Sequence, residues 1–206
     1  MTAEIPTVFV VEDDKAVREA LDSLLRSAGF RARLFASAND FLLGWSPDDF
    51  GCLILDVRLP GTSGLDLQQE LAEAKIDMPT IFITGHGDIR MSVKAMKAGA
   101  VEFLTKPIDH VALLDAVQRS IEKLQAEHKD KTELENLRRK FGLLTQRERE
   151  VMHLVVSGLL NKQIAAEIGL SEITVKIHRG NAMRKMEAKS LAELVRMAGR
   201  VFVPEL

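Results

Sequence analysis

The stretch CLILDVRLPG, from Cys52 to Gly61, decides the fold of the first part of the chain. It begins with four apolar residues in a row, without the alternation of a strand that has one face in water. A continuous apolar run of this length, followed by a Pro-Gly break, is typical of a strand buried on both faces of a parallel sheet. Asp56 follows the run directly, so we expect a carboxylate at the end of a buried strand.

Similar apolar runs recur along the first 105 residues, and stretches with apolar residues at helical spacing separate them. The predicted strands are Thr7–Val11, Ala32–Phe35, Cys52–Asp56, Pro79–Thr84 and Val101–Thr105. The predicted helices are Lys15–Ser27, Ala38–Trp45, Ser63–Ala74, Ile89–Ala98 and one that begins at Asp109. This alternation predicts an α/β domain over residues 1–124, with a doubly wound, five-stranded parallel sheet of the flavodoxin-like kind.

Composition and charge limit the class of protein. The single cysteine, Cys52, excludes a disulfide framework or a cysteine zinc site within one chain. We find no signal peptide pattern and no apolar run near the roughly 20 residues that span a bilayer, so we expect a cytoplasmic protein without a membrane partner. The net charge is −6 over residues 1–124 and +3 over residues 141–206, which predicts two domains with different partners.

A long helix is predicted to leave the first domain. No Gly or Pro interrupts residues 108–141, and apolar residues recur there at three- and four-residue spacing around a polar middle. We interpret residues 125–141 as a helical linker, within a continuous helix that a second chain can pair with. Two separate helices with a solvated hinge are the alternative.

The last part, residues 142–206, is predicted to be an all-α domain of four helices. Thr145 and Glu148 form a capping box at the start of the first helix. A short helix over Lys162–Ile168, a turn through Gly169 and a longer helix from Ser171 then have the pattern of a helix-turn-helix.

Reactive side chains are expected where the parallel strands end, since sites of such sheets lie beyond the carboxyl ends of the strands. The residues at these positions are Glu12, Asp13, Asp14, Asp56, Thr84 and Lys106. Oxygen-only ligands favour a hard cation such as Mg²⁺, or Mn²⁺. With Asp56 as nucleophile, Lys106 as counter-charge and Thr84 as hydrogen-bond donor, this set suits phosphoryl transfer to a carboxylate.

The helix after Ser171 carries the predicted DNA contacts. Lys176 is expected to donate to guanine and Ile177 to contact a thymine methyl, with Arg184 on the same outer stripe. Contacts to DNA phosphates are expected from Lys162, Arg179, Lys185 and Lys189. His178 is interpreted as a packed histidine rather than a metal ligand.

Four segments resemble the motifs of response-regulator receiver domains: VVEDD at 10–14, LILDVRLPGTSG at 53–64, FITGHGD at 82–88 and AGAVEFLTKPI at 98–108. Residues 142–200 resemble the LuxR-type helix-turn-helix, above all through the segment from Leu144 to Met186. The whole chain resembles the FixJ-like branch of NarL-type response regulators.

This resemblance implies that a partner histidine kinase phosphorylates Asp56. It implies that Glu12, Asp13 and Asp56 hold the metal ion, with Asp14 outside the acidic pair. Lys106, before a cis Pro107, is then the phosphate-contacting lysine, and the switch positions are Thr84 and Phe103. The implied function is transcription regulation on promoter DNA, with RNA polymerase as a further partner.

The resemblance also leads us to expect a homodimer after phosphorylation. We place its interface on the fourth helix and fifth strand, on the surface of Val93, Lys94, Lys97 and Glu102.

Two alternatives belong to other classes. A phosphohydrolase like the haloacid dehalogenase group has a second aspartate two residues after its nucleophile, but Arg58 stands there in this chain. An interaction module that is never phosphorylated does not require the acidic cluster together with Lys106. Both are therefore disfavoured.

Overall fold

A computed structural model describes residues 6–46, 49–85 and 89–202. Contacts within the chain divide it into a first unit, residues 1–126, and a second unit, residues 127–206. The predicted turn at Gly85-His86-Gly87 lies for the most part outside the described residues, since these omit 86–88. None of the helices in the described ranges has both the length and the apolar character that crossing a membrane requires.

The first unit is built on five parallel strands in the order β2-β1-β3-β4-β5. They are β1 (Thr7–Val11), β2 (Arg31–Phe35), β3 (Gly51–Asp56), β4 (Thr80–Thr84) and β5 (Glu102–Thr105). Every residue of β1, β3 and β4 is buried, which explains why these strands have continuous rather than alternating apolar sequences. The doubly wound parallel sheet is confirmed, with strand bounds within one residue of those predicted.

Five helices follow the five strands of the first unit. They are α1 (Lys15–Ser27), α2 (Ala38–Gly44), α3 (Gly64–Glu73), α4 (Ile89–Lys97) and α5 (His110–Gly142). Side chains of Asp14, Ser37 and Ser63 accept hydrogen bonds from main-chain N–H groups in the first turns of α1, α2 and α3. These short polar residues therefore fix where each helix begins.

Alternate residues of β1 point to opposite faces of the sheet and take part in two separate cores. Phe9 packs in one core with Phe41 of α2, and Val10 in the other with Leu25 of α1. Burial of both faces explains the need for helices on both sides of the sheet.

The order of the strands fixes the place of the functional site. The chain leaves β1 toward β2 on one side and continues in β3 on the other side, so the direction of winding reverses between β1 and β3. The last residue of β1, Val11, lies in register with Leu55 of β3. Glu12 and Asp56, which follow these two residues, are therefore neighbours at the edge where such sheets bind ligands.

Helix α5 runs without a break from His110 to Gly142. The predicted continuous helix is confirmed, and the alternative of two helices with a hinge is wrong. The polar middle of its sequence is compatible with a helix because it contains neither Gly nor Pro.

The second unit contains four further helices: α6 (Gln146–Val156), α7 (Asn161–Ile168), α8 (Glu172–Met186) and α9 (Leu191–Phe202). The predicted capping box is present, because Glu148 N–H donates to Thr145 Oγ1 and Thr145 N–H donates to Glu148 Oε2. Gly169 ends α7 in the left-handed conformation, at φ 67°, and Ser171 caps α8. Helices α7 and α8 thus form the helix-turn-helix, over a core that includes Val151, Ile164, Val175 and Leu194.

Candidate functional site

Three carboxylates meet at the ends of β1 and β3. Glu12, Asp13 and Asp56 each offer an oxygen within 4.8 Å of the other two. Glu12 and Asp56 are buried, and Asp13 is exposed. The cluster therefore has two acids in the wall of the site and a third at its opening.

Asp14 does not belong to this cluster, although the sequence suggested four converging carboxylates. Its Oδ1 accepts hydrogen bonds from Ala16 N–H at 2.7 Å and Val17 N–H at 3.2 Å. These bonds cap α1, so the carboxylate stabilises the helix start. This geometry agrees with the interpretation that Asp14 lies outside the acidic pair.

Lys106 places a positive charge between the two buried acids. Its Nζ lies 2.7 Å from Glu12 Oε2 and 2.6 Å from Asp56 Oδ2. The lysine follows β5, and the peptide bond from Lys106 to Pro107 is cis. Lys106 thereby joins Asp56, 50 residues earlier in the chain, and Glu12, 94 residues earlier, in one hydrogen-bonded group.

One lysine faces two carboxylates in this group, and the pKa values of Glu12 and Lys106 are shifted. Burial raises the pKa of Glu12, and the nearby charge of Asp56 raises it further, against the lowering effect of Lys106. Burial alone would lower the pKa of Lys106, but hydrogen bonds and attraction to Asp56 and Glu12 outweigh it and raise that pKa. The positive charge of Lys106 is therefore favoured by its surroundings, and it faces two carboxylates rather than one.

Main-chain groups hold Asp56 in place from the other side. Arg58 N–H donates to Asp56 Oδ1 at 2.9 Å, so both carboxylate oxygens are hydrogen-bonded. Gly64, the first residue of α3, lies so close to the backbone of Asp56 that a Cβ at position 64 would be 2.2 Å from the Asp56 carbonyl oxygen. A side chain at position 64 would push α3 away from the end of β3.

The predicted switch residues lie on β4 and on β5, the strand that leads to Lys106. Thr84 is fully buried at the end of β4, and its carbonyl oxygen accepts a hydrogen bond from Lys106 N–H at 2.7 Å. Phe103 is half-buried on β5, with its ring centroid 6.3 Å from that of Phe82. The ring therefore already contacts the core from a position that solvent can reach.

Arg18 of α1 is a contributor that the sequence analysis missed. Its Nη1 donates to the carbonyl oxygens of Glu12 and Asp13, at 2.6 Å and 2.8 Å. The guanidinium thus holds the backbone of the two acidic residues rather than their carboxylates. Its place one turn into a helix that begins beside the site was a usable signal, because helical side chains point back toward the N-terminus.

The second unit presents α8 with one buried and one exposed face. Val175, Ala182 and Met186 are buried, and His178 is half-buried, which agrees with its interpretation as a packed histidine. Lys176 and Arg184 are exposed, and Ile177 is 57 % exposed. Ile173, which the sequence analysis did not single out, is exposed by 74 %.

The other predicted DNA-contacting cations have different surroundings. Lys162 and Lys189 are exposed. Arg179 is half-buried and donates to Asn161 Oδ1 at 3.1 Å, which links α8 to the start of α7. Lys185 Nζ lies 2.6 Å from Glu148 Oε2, whose side chain is only 5 % exposed. Lys185 therefore has a partner inside the domain, which the sequence did not indicate.

Comparison with known families agrees with both units. The family model of the response regulator receiver domain matches residues 8–118, and that of the bacterial regulatory proteins of the luxR family matches residues 142–198. The chain therefore belongs to the response regulators that combine a receiver domain with a luxR-type DNA-binding domain. It is a DNA-binding response regulator of the two-component kind.

Similar proteins share this organisation over nearly their full lengths. Nodulation protein W of Bradyrhizobium diazoefficiens is 54 % identical over 191 residues, which are 93 % of this chain and 84 % of that protein. Transcriptional regulatory protein FixJ of Rhizobium meliloti is 44 % identical over 193 residues, 93 % of this chain and 94 % of that protein. The structure of response regulator StyR has 48 % identity, a TM-score of 0.86, and coverage of 95 % of this chain and 98 % of its own.

Proposed function

We propose that a histidine kinase phosphorylates Asp56 and that the phosphorylated chain binds promoter DNA as a homodimer, in the cytoplasm, where it acts on RNA polymerase. The chain is then a phosphoacceptor and not an enzyme with a released product. The observation that carries this proposal is the bridge from Lys106 to Asp56 and Glu12, beside the exposed Asp13. It puts a nucleophile, a counter-charge and an acidic pair in one place.

The proposed transfer is a displacement at phosphorus. An oxygen of Asp56 forms the new O–P bond while the P–N bond to the kinase histidine breaks, and that histidine keeps the bonding electron pair. Lys106 is 22 % exposed at its side chain and close enough to move its ammonium from Asp56 Oδ2 to a phosphoryl oxygen. Arg58 N–H holds the other carboxylate oxygen and keeps Asp56 oriented.

The cluster fits a divalent cation by the chemistry of its donors. Glu12, Asp13 and Asp56 offer only oxygen, from three carboxylates whose ligand atoms lie within 4.8 Å of one another. This donor set and the open side at Asp13 suit Mg²⁺ or Mn²⁺, which keep several waters. When bound, such an ion supplies positive charge for the oxygens of the transferred phosphoryl group.

The signal would leave the site through Thr84 and Phe103. In the proposal, the Thr84 hydroxyl donates to a phosphoryl oxygen, and Phe103 turns further into the space beside it. Phe103 is poised for this movement because it already contacts Phe82 while remaining half-buried. A packed ring has discrete positions, so the change is between two states rather than gradual.

The surface next to Phe103 is the proposed dimer interface. Val93 of α4 is 46 % exposed, with Lys94 and Lys97 exposed on the same helix. Glu102 of β5 supplies the opposite charge and already lies 3.3 Å from Arg119. Mixed charges around an apolar centre can pair with their own copies across a two-fold axis.

The proposed DNA contacts lie on α8 and around it. Lys176 and Ile177 would meet base edges, with Arg184 on the same outer stripe, and the contacts to phosphate would come from Lys162, Arg179, Lys185 and Lys189. Of these, Lys185 is held by Glu148, so its contact with DNA depends on sharing its ammonium. Dimerisation brings two such helices to two half-sites about one DNA turn apart.

The proposal is tested by treating the full chain with acetyl phosphate and Mg²⁺. Intact-mass measurement should show one added phosphoryl group in the wild type, and none in Asp56→Asn. Asp115→Asn is a matched control, since Asp115 is an exposed aspartate on α5 that pairs with Arg119 at 3.2 Å. Equal phosphorylation of Asp56→Asn and wild type would refute the site, and phosphorylation without any gain in DNA affinity would refute the switch.

A further inference from the structure

Two isoleucines on the outer face of α8 stand apart from the other apolar residues of that helix. Ile173 is 74 % exposed and Ile177 57 % exposed, whereas Val175 and Ala182 are fully buried. Residues four positions apart lie above one another on a helix surface, so Ile173 and Ile177 form one apolar strip.

Neither folding nor helix formation accounts for isoleucine at both positions. Burial of an isoleucine contributes about 1.5–3 kcal/mol relative to exposure, and these two side chains forgo most of it. A β-branched residue is also a weaker helix former than lysine, glutamate or alanine. The strip therefore suits contact with something outside the chain.

The surroundings of the strip fit the major groove of DNA. Ile173 lies in the first turn of α8, directly after the turn of the helix-turn-helix, where recognition helices meet base edges. The exposed cations Lys176 and Arg184 lie on the same outer stripe, and their positive charge favours the approach of this face to DNA. Further along the same face is Gly180, where a Cβ would find nothing within 4 Å, so no packing within the described residues requires glycine there.

We propose that Ile173 and Ile177 together recognise the C5-methyl groups of two thymines. This inference rests on the proposed DNA binding of α8 and names the base chemistry that it reads. Thymine is the base that presents an apolar methyl group in the major groove, beside its O4 acceptor. Four helical residues rise about 6 Å, and base pairs are about 3.4 Å apart, so the two methyls lie one or two base steps from each other.

The test removes the methyl groups alone. The full chain, treated with acetyl phosphate and Mg²⁺, selects a binding site from random duplex DNA, and each thymine of that site is then replaced singly by deoxyuridine. We expect a loss of affinity of about fourfold at each of two nearby positions in one half-site, and at the equivalent positions of the half-site bound by the second copy, which corresponds to one methyl-sized group each. Deoxyuridine elsewhere in the site should have little effect.

Protein variants assign each methyl to its side chain. Ile173→Ala should abolish the effect of deoxyuridine at one of the two positions, and Ile177→Ala at the other. Leu143→Ala is the control, because Leu143 is 59 % exposed but lies outside α8 and should leave both effects in place. A selected site indifferent to deoxyuridine, or isoleucine variants that keep both effects, would overturn this inference and leave the proposed function standing. Selection of no DNA at all would overturn both.

Discussion

Two lysine–carboxylate pairs, one in each unit, have nearly the same geometry, yet the pKa values of their acids are shifted in opposite directions. Lys106 Nζ lies 2.7 Å from Glu12 Oε2, and Lys185 Nζ lies 2.6 Å from Glu148 Oε2. Glu12 and Glu148 are both buried. Yet the pKa of Glu12 is raised above its ordinary value of 4.5, and that of Glu148 is lowered below the same value.

The difference comes from the depth of burial, which is greater at Glu12, and from the other groups around each pair. Burial raises the pKa of both acids, and at Glu12 the charge of Asp56 adds to it. At Glu148 the hydrogen bonds from Lys185 and Thr145 N–H outweigh burial. A buried ion pair therefore does not mark a functional site by itself. An excess of acid over base is the better indication of a candidate site, because it favours the binding of another cation.

The two acids also respond to pH in opposite directions. Because its folded-state pKa is lowered, Glu148 stabilises the fold above its ordinary pKa, and this contribution is lost as pH falls through the folded-state value. The folded-state pKa of Glu12 is raised, so its ionisation disfavours folding, and stability improves as pH falls through that value. Ionised Glu12 therefore opposes folding of the first unit, whereas ionised Glu148 favours folding of the second.

The largest effect is expected from breaking the ion pair between Glu148 and Lys185. Glu148→Ala leaves Lys185 without its partner and removes the capping box, so the second unit should lose about 2–3 kcal/mol of unfolding free energy. Far-UV circular dichroism follows this loss, while the fluorescence of Trp45, the single tryptophan, follows the first unit. Glu150→Ala is the control, since Glu150 lies on the same helix in an exposed pair with Arg147. An equally small change in both variants would contradict a structural role for Glu148.

A smaller effect of opposite sign is expected in the unbalanced cluster. Asp56→Asn removes one negative charge from beside Glu12 and Asp13, so it should stabilise the metal-free first unit by about 1–2 kcal/mol. Denaturant unfolding monitored by Trp45 fluorescence, in the presence of a chelator, measures this gain. Added Mg²⁺ should reduce it, because binding stabilises the wild type more. Destabilisation by Asp56→Asn would mean that the bond to Lys106 outweighs the repulsion.

The smallest effect concerns Arg18, the second cation beside the cluster. Because it donates to the carbonyl oxygens of Glu12 and Asp13, Arg18→Ala should loosen their backbone and weaken Mg²⁺ binding by about tenfold or less. Calorimetric titration with Mg²⁺ measures the change, and Arg18→Lys, which keeps the charge, should be affected in part. If Arg18→Ala instead binds Mg²⁺ more tightly, the charge of Arg18 matters more than its hold on the backbone.

The fold was predictable because its strands are buried on both faces. Runs such as Cys52–Asp56 have no polar interruption, and Gly or Pro marks the joints, so both the number of strands and their order along the chain were evident. Four of the five strands begin one residue away from the predicted start. Pro79, for example, was included in the fourth strand, but the strand begins at Thr80.

The partners of individual side chains were harder to predict from the sequence. The strand-end positions of Asp56 and Lys106 were evident, but periodicity does not show that Lys185 meets Glu148, 37 residues away. Asp14 was grouped with its acidic neighbours, although an aspartate before a helix has a second use as a cap. These outcomes depend on distances between elements, which only the folded chain fixes.

The most direct test is to measure the pKa values of Glu12 and Glu148 by carboxyl NMR titration of the full, metal-free chain with labelled glutamate side chains. We expect the pKa of Glu12 above 4.5 and that of Glu148 below it. Addition of Mg²⁺ should lower the pKa of Glu12 and leave that of Glu148 unchanged. Two pKa values on the same side of 4.5, or a Glu12 that does not respond to Mg²⁺, would contradict the claim that excess acid marks the phosphoacceptor site.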